Sequence, residues 1–444
     1  MSEILIINGK LVNEGKIEEK DILIRNGIIE KIGSGLSSSG GKVIDAKGKI
    51  VIPGIIDDQV HFREPGLTNK ATIYTESKAA VAGGVTSFME MPNTVPNATT
   101  IELLEAKYSI ASGSSLANYS FYMGATNNNL EEVQRVNPEM VCGIKIFMGS
   151  STGNMLVNDP IALEKLFSGT NMLIATHCED EETILKNSIV YKEKYGENVP
   201  WEAHAEIRSA EACYKSSSYA VELAKKFGTR LHVLHISTEN EIGLFSNQIP
   251  LAEKKITSEV CVHHLWFDKN DYAEKGAFIK WNPAVKDERH KLALVKALQD
   301  DYFDVVATDH APHTLDEKNA NYWNAPSGGP LIQHSLVAML EFYHKGELSL
   351  EKIVEKMCHN PAILFRIKNR GFIREGYRAD IAVVDLDSTW EVAKDNILYK
   401  CNWSPFEGYK FRSKVTHTIV SGKLCFAEGI FDESIRGERL NFSH

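Results

Sequence analysis

Ile52-Pro53-Gly54-Ile55-Ile56-Asp57-Asp58-Gln59-Val60-His61-Phe62-Arg63-Glu64-Pro65-Gly66 reads as the entry, course and exit of one buried strand. The apolar run around Pro53-Gly54 marks its start, and Glu64-Pro65-Gly66 marks its stop. Side chains of a strand alternate between faces. Asp57, Gln59, His61 and Arg63 are therefore expected on one face at its C-terminal end. A carboxylate, an amide, an imidazole and a guanidinium together make a poor core and a good site. The plain alternative is an edge strand with a solvated face. The apolar residues just before the cluster and the turn just after it argue against that.

Outward from this stretch, residues 53–364 alternate between apolar strands and helical segments. Strands are expected at 54–62, 87–91, 118–123, 143–148, 172–177, 230–235, 256–262 and 304–308, and helices at 73–82, 101–111, 206–226, 239–246 and 288–299. This α/β pattern predicts a parallel (β/α)8 TIM-like barrel. An open doubly wound sheet would carry a Gly-rich phosphate turn after its first strand, and there is none. Short strands at 4–7, 22–24, 28–32 and 43–44, with hairpin turns at Asn8-Gly9 and Asn26-Gly27, precede the barrel. Matching strands at 380–385, 415–420 and 423–426 follow it. Either set alone would leave bare edges. The expectation is a small β-sandwich domain formed by both chain ends, 1–52 and 365–444, with the barrel of 53–364 inserted between them.

Composition narrows the function class. In 444 residues, 43% are hydrophobic and 24% charged, as in an ordinary globular protein. A net charge of −10 argues against nonspecific nucleic-acid binding. Seven scattered cysteines without a CxxC suit a reducing compartment. The N-terminus lacks a signal-peptide pattern and no apolar run would span a bilayer, so a cytoplasmic protein without membrane contact is expected.

Polar residues fall at the C-terminal ends of the expected strands, the rim where barrels of this kind build active sites. The first ends in His61 and Arg63, the second runs into Asn93, and the fourth carries Lys145. The fifth ends in His177, the sixth in His235 and the eighth in Asp309-His310. Any one of the 15 histidines is by itself more often structural than a ligand. Three on converging strand ends with Asp309 form a nitrogen and oxygen donor set for a metal such as Zn²⁺. Lys145, inside an apolar strand, must be neutral, paired with an acid, or modified, for instance carbamylated by CO₂.

These residues carry a resemblance over nearly the whole chain. Pro53 to His61, the His177 and His235 strand ends, Asp309, and Gly376-Tyr377-Arg378-Ala379-Asp380-Ile381 resemble the amidohydrolase superfamily. Arg63-Glu64-Pro65-Gly66, Met91-Pro92-Asn93-Thr94, Lys280-Trp281-Asn282-Pro283, Thr308-Asp309-His310-Ala311-Pro312-His313 and Asn360-Pro361-Ala362 resemble its class I dihydroorotases. The resemblance implies reversible cyclisation of N-carbamoyl-L-aspartate to L-dihydroorotate in de novo pyrimidine (UMP) synthesis. It implies two Zn²⁺ ions, one on His61 and Asp309, the other on His177 and His235, bridged by carboxylated Lys145. Some relatives use an acid a few residues later instead. Here Phe147 is followed by Met-Gly-Ser-Ser-Thr-Gly, which favours Lys145. Asp309 would shuttle the proton of a metal-activated water, Arg63 and Asn93 would hold the substrate carboxylate, His313 would add a donor and Asn282 would contact the ring. A homodimer and association with other pyrimidine-pathway enzymes also follow from the resemblance.

The chain departs from the family pattern at Gln59, where relatives carry the first histidine of His-x-His. An amide is a poor substitute for imidazole on Zn²⁺. Gln59 ligates weakly, water takes its place, or a metal position is lost and the chain is a non-catalytic structural partner. The other ligand positions, Arg63 and Asn93 are intact, which favours an active enzyme. A different cyclic amidohydrolase, such as an allantoinase or hydantoinase, is the nearest rival, and those typically lack the Arg-Glu-Pro-Gly pattern.

Overall fold

Runs of Ile, Val, Met and Phe too short for helices and buried on both faces form a parallel sheet only when helices cover it. In the computed structural model, which describes residues 3–149 and 155–443, eight such runs make the expected barrel. They are β1 (Ile55–Val60), β2 (Val85–Glu90), β3 (Asn118–Phe121, continued by Met123–Gly124), β4 (Ile144–Phe147), β5 (Ile174–His177), β6 (Leu231–Val233), β7 (Ile256–Cys261) and β8 (Val305–Ala307). Each pairs in parallel with the next. The ring closes where the His61 N–H donates to the His310 carbonyl at 2.7 Å and Val60 bridges His310 in parallel. Ile56, Met89, Tyr122, Leu173 and Val305 fill the lower interior with Leu364 and Phe365 of the helix Asn360–Phe365. No helix among the described residues is long and apolar enough to cross a membrane.

Helices at Ile73–Ala82, Ile101–Ser114 and Glu288–Gln299 match the sequence pattern closely. The expected 206–226 helix is Ala210–Phe227 after a separate turn at His204–Ile207, and 239–246 is a 3₁₀ segment at Glu239–Leu244. Glu181–Tyr195 escaped the sequence reading because only Ile184 of its fifteen residues is buried, so no apolar stripe announces it.

The two chain ends combine in one nine-stranded sheet. Ile50–Pro53 lies between Glu3–Asn13 and Ile381–Asp385, so the last strand before the barrel pairs with the first strand after it. Ile4, Ile22, Ile44, Val51, Ile381 and Ile419 belong to its own apolar core. Asn26-Gly27, both at positive φ, is the expected hairpin turn, with Arg25 opposite Ile28. Asn8-Gly9 is not a turn. The strand runs through it with a register shift, and the turn falls at Glu14-Gly15. Gly9 answers to packing instead, since a Cβ there would meet Val51 Cγ2 at 2.5 Å.

Asp380, before the strand Ile381–Asp385, joins sheet to barrel. Its Oδ1 accepts from the Ser421 amide at 2.7 Å and from Asn118 Nδ2 of β3 at 3.0 Å, and its other oxygen pairs with Arg370. Both members of that ion pair are buried. Arg370 also pairs with Glu438 at 2.6 Å, so removing Asp380 leaves the guanidinium one partner but takes the acceptor from the Ser421 amide, a buried loss of about 1–3 kcal/mol. Asp380→Ala is therefore expected to lower the unfolding free energy by about 2 kcal/mol. Urea denaturation measures this, and an unchanged midpoint would show that the pair is dispensable.

Candidate active site

The barrel rim gathers the polar strand ends. Gln59, His61, Arg63, Asn93, Lys145, His177, His235, Asn282, Asp309 and His313 all line one cavity of about 730 Å³. Pro326, Ser327 and Gly328 of the loop after β8 close its side. Asp57 does not join them. Register shifts along β1 place it a layer lower, where its Oδ2 accepts from Thr308 Oγ1 at 2.6 Å. The strict alternation read from sequence fails there because β1 is irregular.

Two donor pairs face the cavity. His61 Nε2 stands 3.1 Å from Asp309 Oδ1, and His177 Nδ1 stands 2.9 Å from His235 Nε2. Both outer imidazoles are held from behind. Asn93 Oδ1 lies 2.8 Å from His61 Nδ1, and Glu179 Oε2 lies 2.8 Å from His177 Nε2. Each such contact takes the far N–H and turns the bare nitrogen inward, the form that binds a metal. Burial first, then nearby cations, holds His61 well below the ordinary imidazole pKa, and burial lowers His177 and His235 as well. Arg63, His235 and Asp309 all sit at positive φ, a strained backbone that non-glycine residues tolerate chiefly where a site demands it.

Gln59 presents its NH₂ group to Asp309 Oδ1 at 3.1 Å, while its Oε1 lies 3.7 Å from Cys261 Sγ. Here the amide orients the carboxylate. Burial raises the Asp309 pKa to about 7 against the pull of His177, Lys145 and Arg63. Lys145 Nζ lies 4.6 Å from the centre of the Phe147 ring, and no carboxylate among the described residues is in ion-pair contact with it. Burial lowers its pKa to about 7. Residues 150–153, the end of the acid-free stretch after Phe147, lie outside the described residues.

Arg63 lines the same cavity. Its Nε donates to the Pro312 carbonyl at 3.1 Å, and its Nη2 is 3.1 Å from His313 Nε2. Lys70 Nζ lies 3.1 Å from His313 Nδ1, and the ring's Nε2 also lies 3.0 Å from the Ser327 carbonyl.

Glu179 and Arg208 were not singled out in the sequence. Glu179 Oε2 also accepts from Arg208 Nη2 at 2.7 Å, and Glu179 itself is fully buried, which makes it an anchored carboxylate behind His177. Its place two residues after His177 was the available signal. Glu179→Gln is expected to weaken metal binding about 10–100-fold, readable by titration against a chelating dye. An unchanged affinity would remove its role in orienting His177.

A family model described as the amidohydrolase family matches residues 50–425. The chain belongs to the amidohydrolase family. Among the relatives of this amidohydrolase, the dihydroorotase of Methanosarcina acetivorans is 34% identical over 457 residues, covering 100% of this chain and 96% of its own. The dihydroorotase of Methanosphaera stadtmanae is 31% identical over 432 residues, covering 96% of each chain. Among solved structures, the L-hydantoinase of Arthrobacter aurescens superimposes with a TM-score of 0.92 at 28% identity, over 97% of each chain. The amidohydrolase thus has the sequence of the dihydroorotase branch on a backbone shared with hydantoinases.

Proposed function

We propose that the chain is a dihydroorotase, opening the cyclic amide of L-dihydroorotate to N-carbamoyl-L-aspartate and closing it again in pyrimidine synthesis. The observation that carries this reading is a single cavity lined by two metal-type donor pairs and by a buried guanidinium, Arg63. His61 with Asp309, and His177 with His235, would hold two divalent ions, taken as Zn²⁺, and Lys145 as its carbamate would supply a further anionic ligand. When bound, the ions would polarise the ring carbonyl and acidify the attacking water.

The chain's own residues supply the rest. Arg63 offers a planar fork to the substrate carboxylate. Asn93, whose oxygen is engaged by His61, keeps its NH₂ for the same carboxylate. Asn282 contacts the ring and His313 stands beside Arg63. Asp309 takes the proton of the attacking water and delivers it to the departing amide nitrogen. In the reverse direction it removes a proton from the carbamoyl nitrogen. A neutral Lys145 amine adds to CO₂, releasing a proton, and the resulting carbamate supplies the anion that no acid in contact with it provides.

Recombinant protein is assayed for dihydroorotate hydrolysis together with a metal count per chain. Turnover with at least two metals per chain is expected if both donor pairs fill. No turnover and no metal would leave the non-catalytic reading that Gln59 raises. Turnover of hydantoins in place of dihydroorotate would favour the hydantoinase reading. Arg63→Met is expected to raise KM for dihydroorotate about 100-fold, since truncating one partner of a buried charge pair costs about 2–5 kcal/mol. An unchanged KM would end its carboxylate role. The proposal extends to a cytoplasmic homodimer and to contact with other enzymes of the pathway, which sedimentation of the purified protein and of mixtures would test. It assigns 53–364 to catalysis and the two chain ends to the supporting domain.

A further inference from the structure

One group of chemically competent side chains below the cavity has no part in the reaction above. Asp58 of β1, His232 of β6 and Glu259 of β7 are completely buried. β1 is not hydrogen-bonded to β6 or β7, so the three side chains meet inside the barrel. Two carboxylates here face a single imidazole, and His232 is the one basic group in ion-pair contact with either acid among the described residues. A proton on His232 offsets one negative charge and leaves the other buried, which is costly.

The geometry is that of lone pairs converging on a common point. His232 Nε2 lies 3.1 Å from Asp58 Oδ2 and 3.7 Å from Glu259 Oε2, and one donor atom from each residue fits within a 4.8 Å span. Neither approach has hydrogen-bond alignment. Both Asp58 oxygens, Glu259 Oε2 and His232 Nε2 have no hydrogen-bond partner among the described residues. Four unsatisfied atoms in so small a volume are unusual, because buried polar groups are nearly always paired. Ligands about 2.0–2.2 Å from a tetrahedral Zn²⁺ stand roughly 3.3–3.5 Å apart, the range these contacts bracket.

The surrounding groups hold the set in ligating form. Thr257 Oγ1 donates to the Leu231 carbonyl at 3.1 Å, so it accepts the Nδ1–H of His232 at 2.9 Å and leaves Nε2 bare. Glu259 Oε1 is occupied by the His235 amide at 3.0 Å and Cys261 Sγ at 3.3 Å, so Oε2 is the oxygen turned to the cluster.

We propose that Asp58, His232 and Glu259 form a separate buried site for a divalent cation, Zn²⁺ by its one-nitrogen, two-carboxylate donor set. The ion ties β1 to β6 and β7. Through Glu259 it steadies the strained backbone of His235, at φ 40°.

Crystals of the full chain prepared with Zn²⁺ alone test this by anomalous difference maps at the zinc edge. A peak bonded to Asp58, His232 and Glu259, distinct from any in the cavity, is expected. Peaks confined to the cavity, or no peak at all, overturn the proposal. In solution, Asp58→Asn, verified as folded by circular dichroism, should retain one Zn²⁺ per chain fewer than the parent after gel filtration. Its melting temperature should also fall less on chelation. Equal metal counts in the two proteins overturn the proposal independently of the map.

Discussion

Asp309→Asn is expected to lower kcat for dihydroorotate hydrolysis by about 10³-fold or more, with KM changed little. Asparagine keeps the shape of the side chain and one acceptor oxygen, so the NH₂ of Gln59, at 3.1 Å, finds an oxygen in place. What is lost is the capacity to accept and return a proton, which by itself is worth about 10²–10⁴ in rate. The substitution also weakens one donor of the first metal pair, which adds to the loss. Steady-state kinetics with metal content measured on the same sample separates the two. A full metal count with a rate loss of three decades assigns the proton role. A loss below tenfold would exclude it.

Lys145→Ala is expected to remove bound metal and to lower the rate by about 10³-fold, the equivalent of several kcal/mol of lost charge stabilisation. Lys145 is 1% exposed and is flanked by Ile144 and Ile146 of β4. Metal bound only by the folded chain stabilises it, so the variant should melt below the metal-loaded parent and close to the chelated one. Because the amine matters as the carrier of a carboxylate, acetate supplied to the variant should restore part of both metal content and rate. A variant that keeps its metals and turns over normally would show that Lys145 only fills the strand end.

The two donor pairs explain why Gln59 need not abolish the chemistry. Its amide turns toward Asp309 as a hydrogen-bond donor, and its oxygen faces Cys261. The residue that replaces a familiar histidine thus acts on Asp309, the carboxylate proposed to carry the proton.

Much of the barrel was legible because its strands are short apolar runs separated by capped helices, and this pattern depends only on near neighbours. Thr72 caps the Ile73–Ala82 helix through its side chain, and Thr75 reciprocates. The Asn26-Gly27 turn was legible for the same local reason. Glu181–Tyr195 was not, since a helix with one buried residue has no periodic signature. The Asn8-Gly9 bulge was misread as a turn because the requirement for glycine comes from Val51, more than forty positions away in the chain.

The site divides in the same way. By itself, the sequence determined the strand order, the placing of His61, His177, His235 and Asp309 at strand ends and of Lys145 inside one, and Arg63 before its turn. Those follow from local pattern and from motif. Tertiary structure alone decided that Asp57 drops below the cavity, that Glu179 and Arg208 stand behind His177, and that Asp58 meets His232 and Glu259. Closing eight strands into a ring brings residues from separate strands within 3–4 Å of one another. No periodicity along the chain encodes which of them then share a proton or an ion.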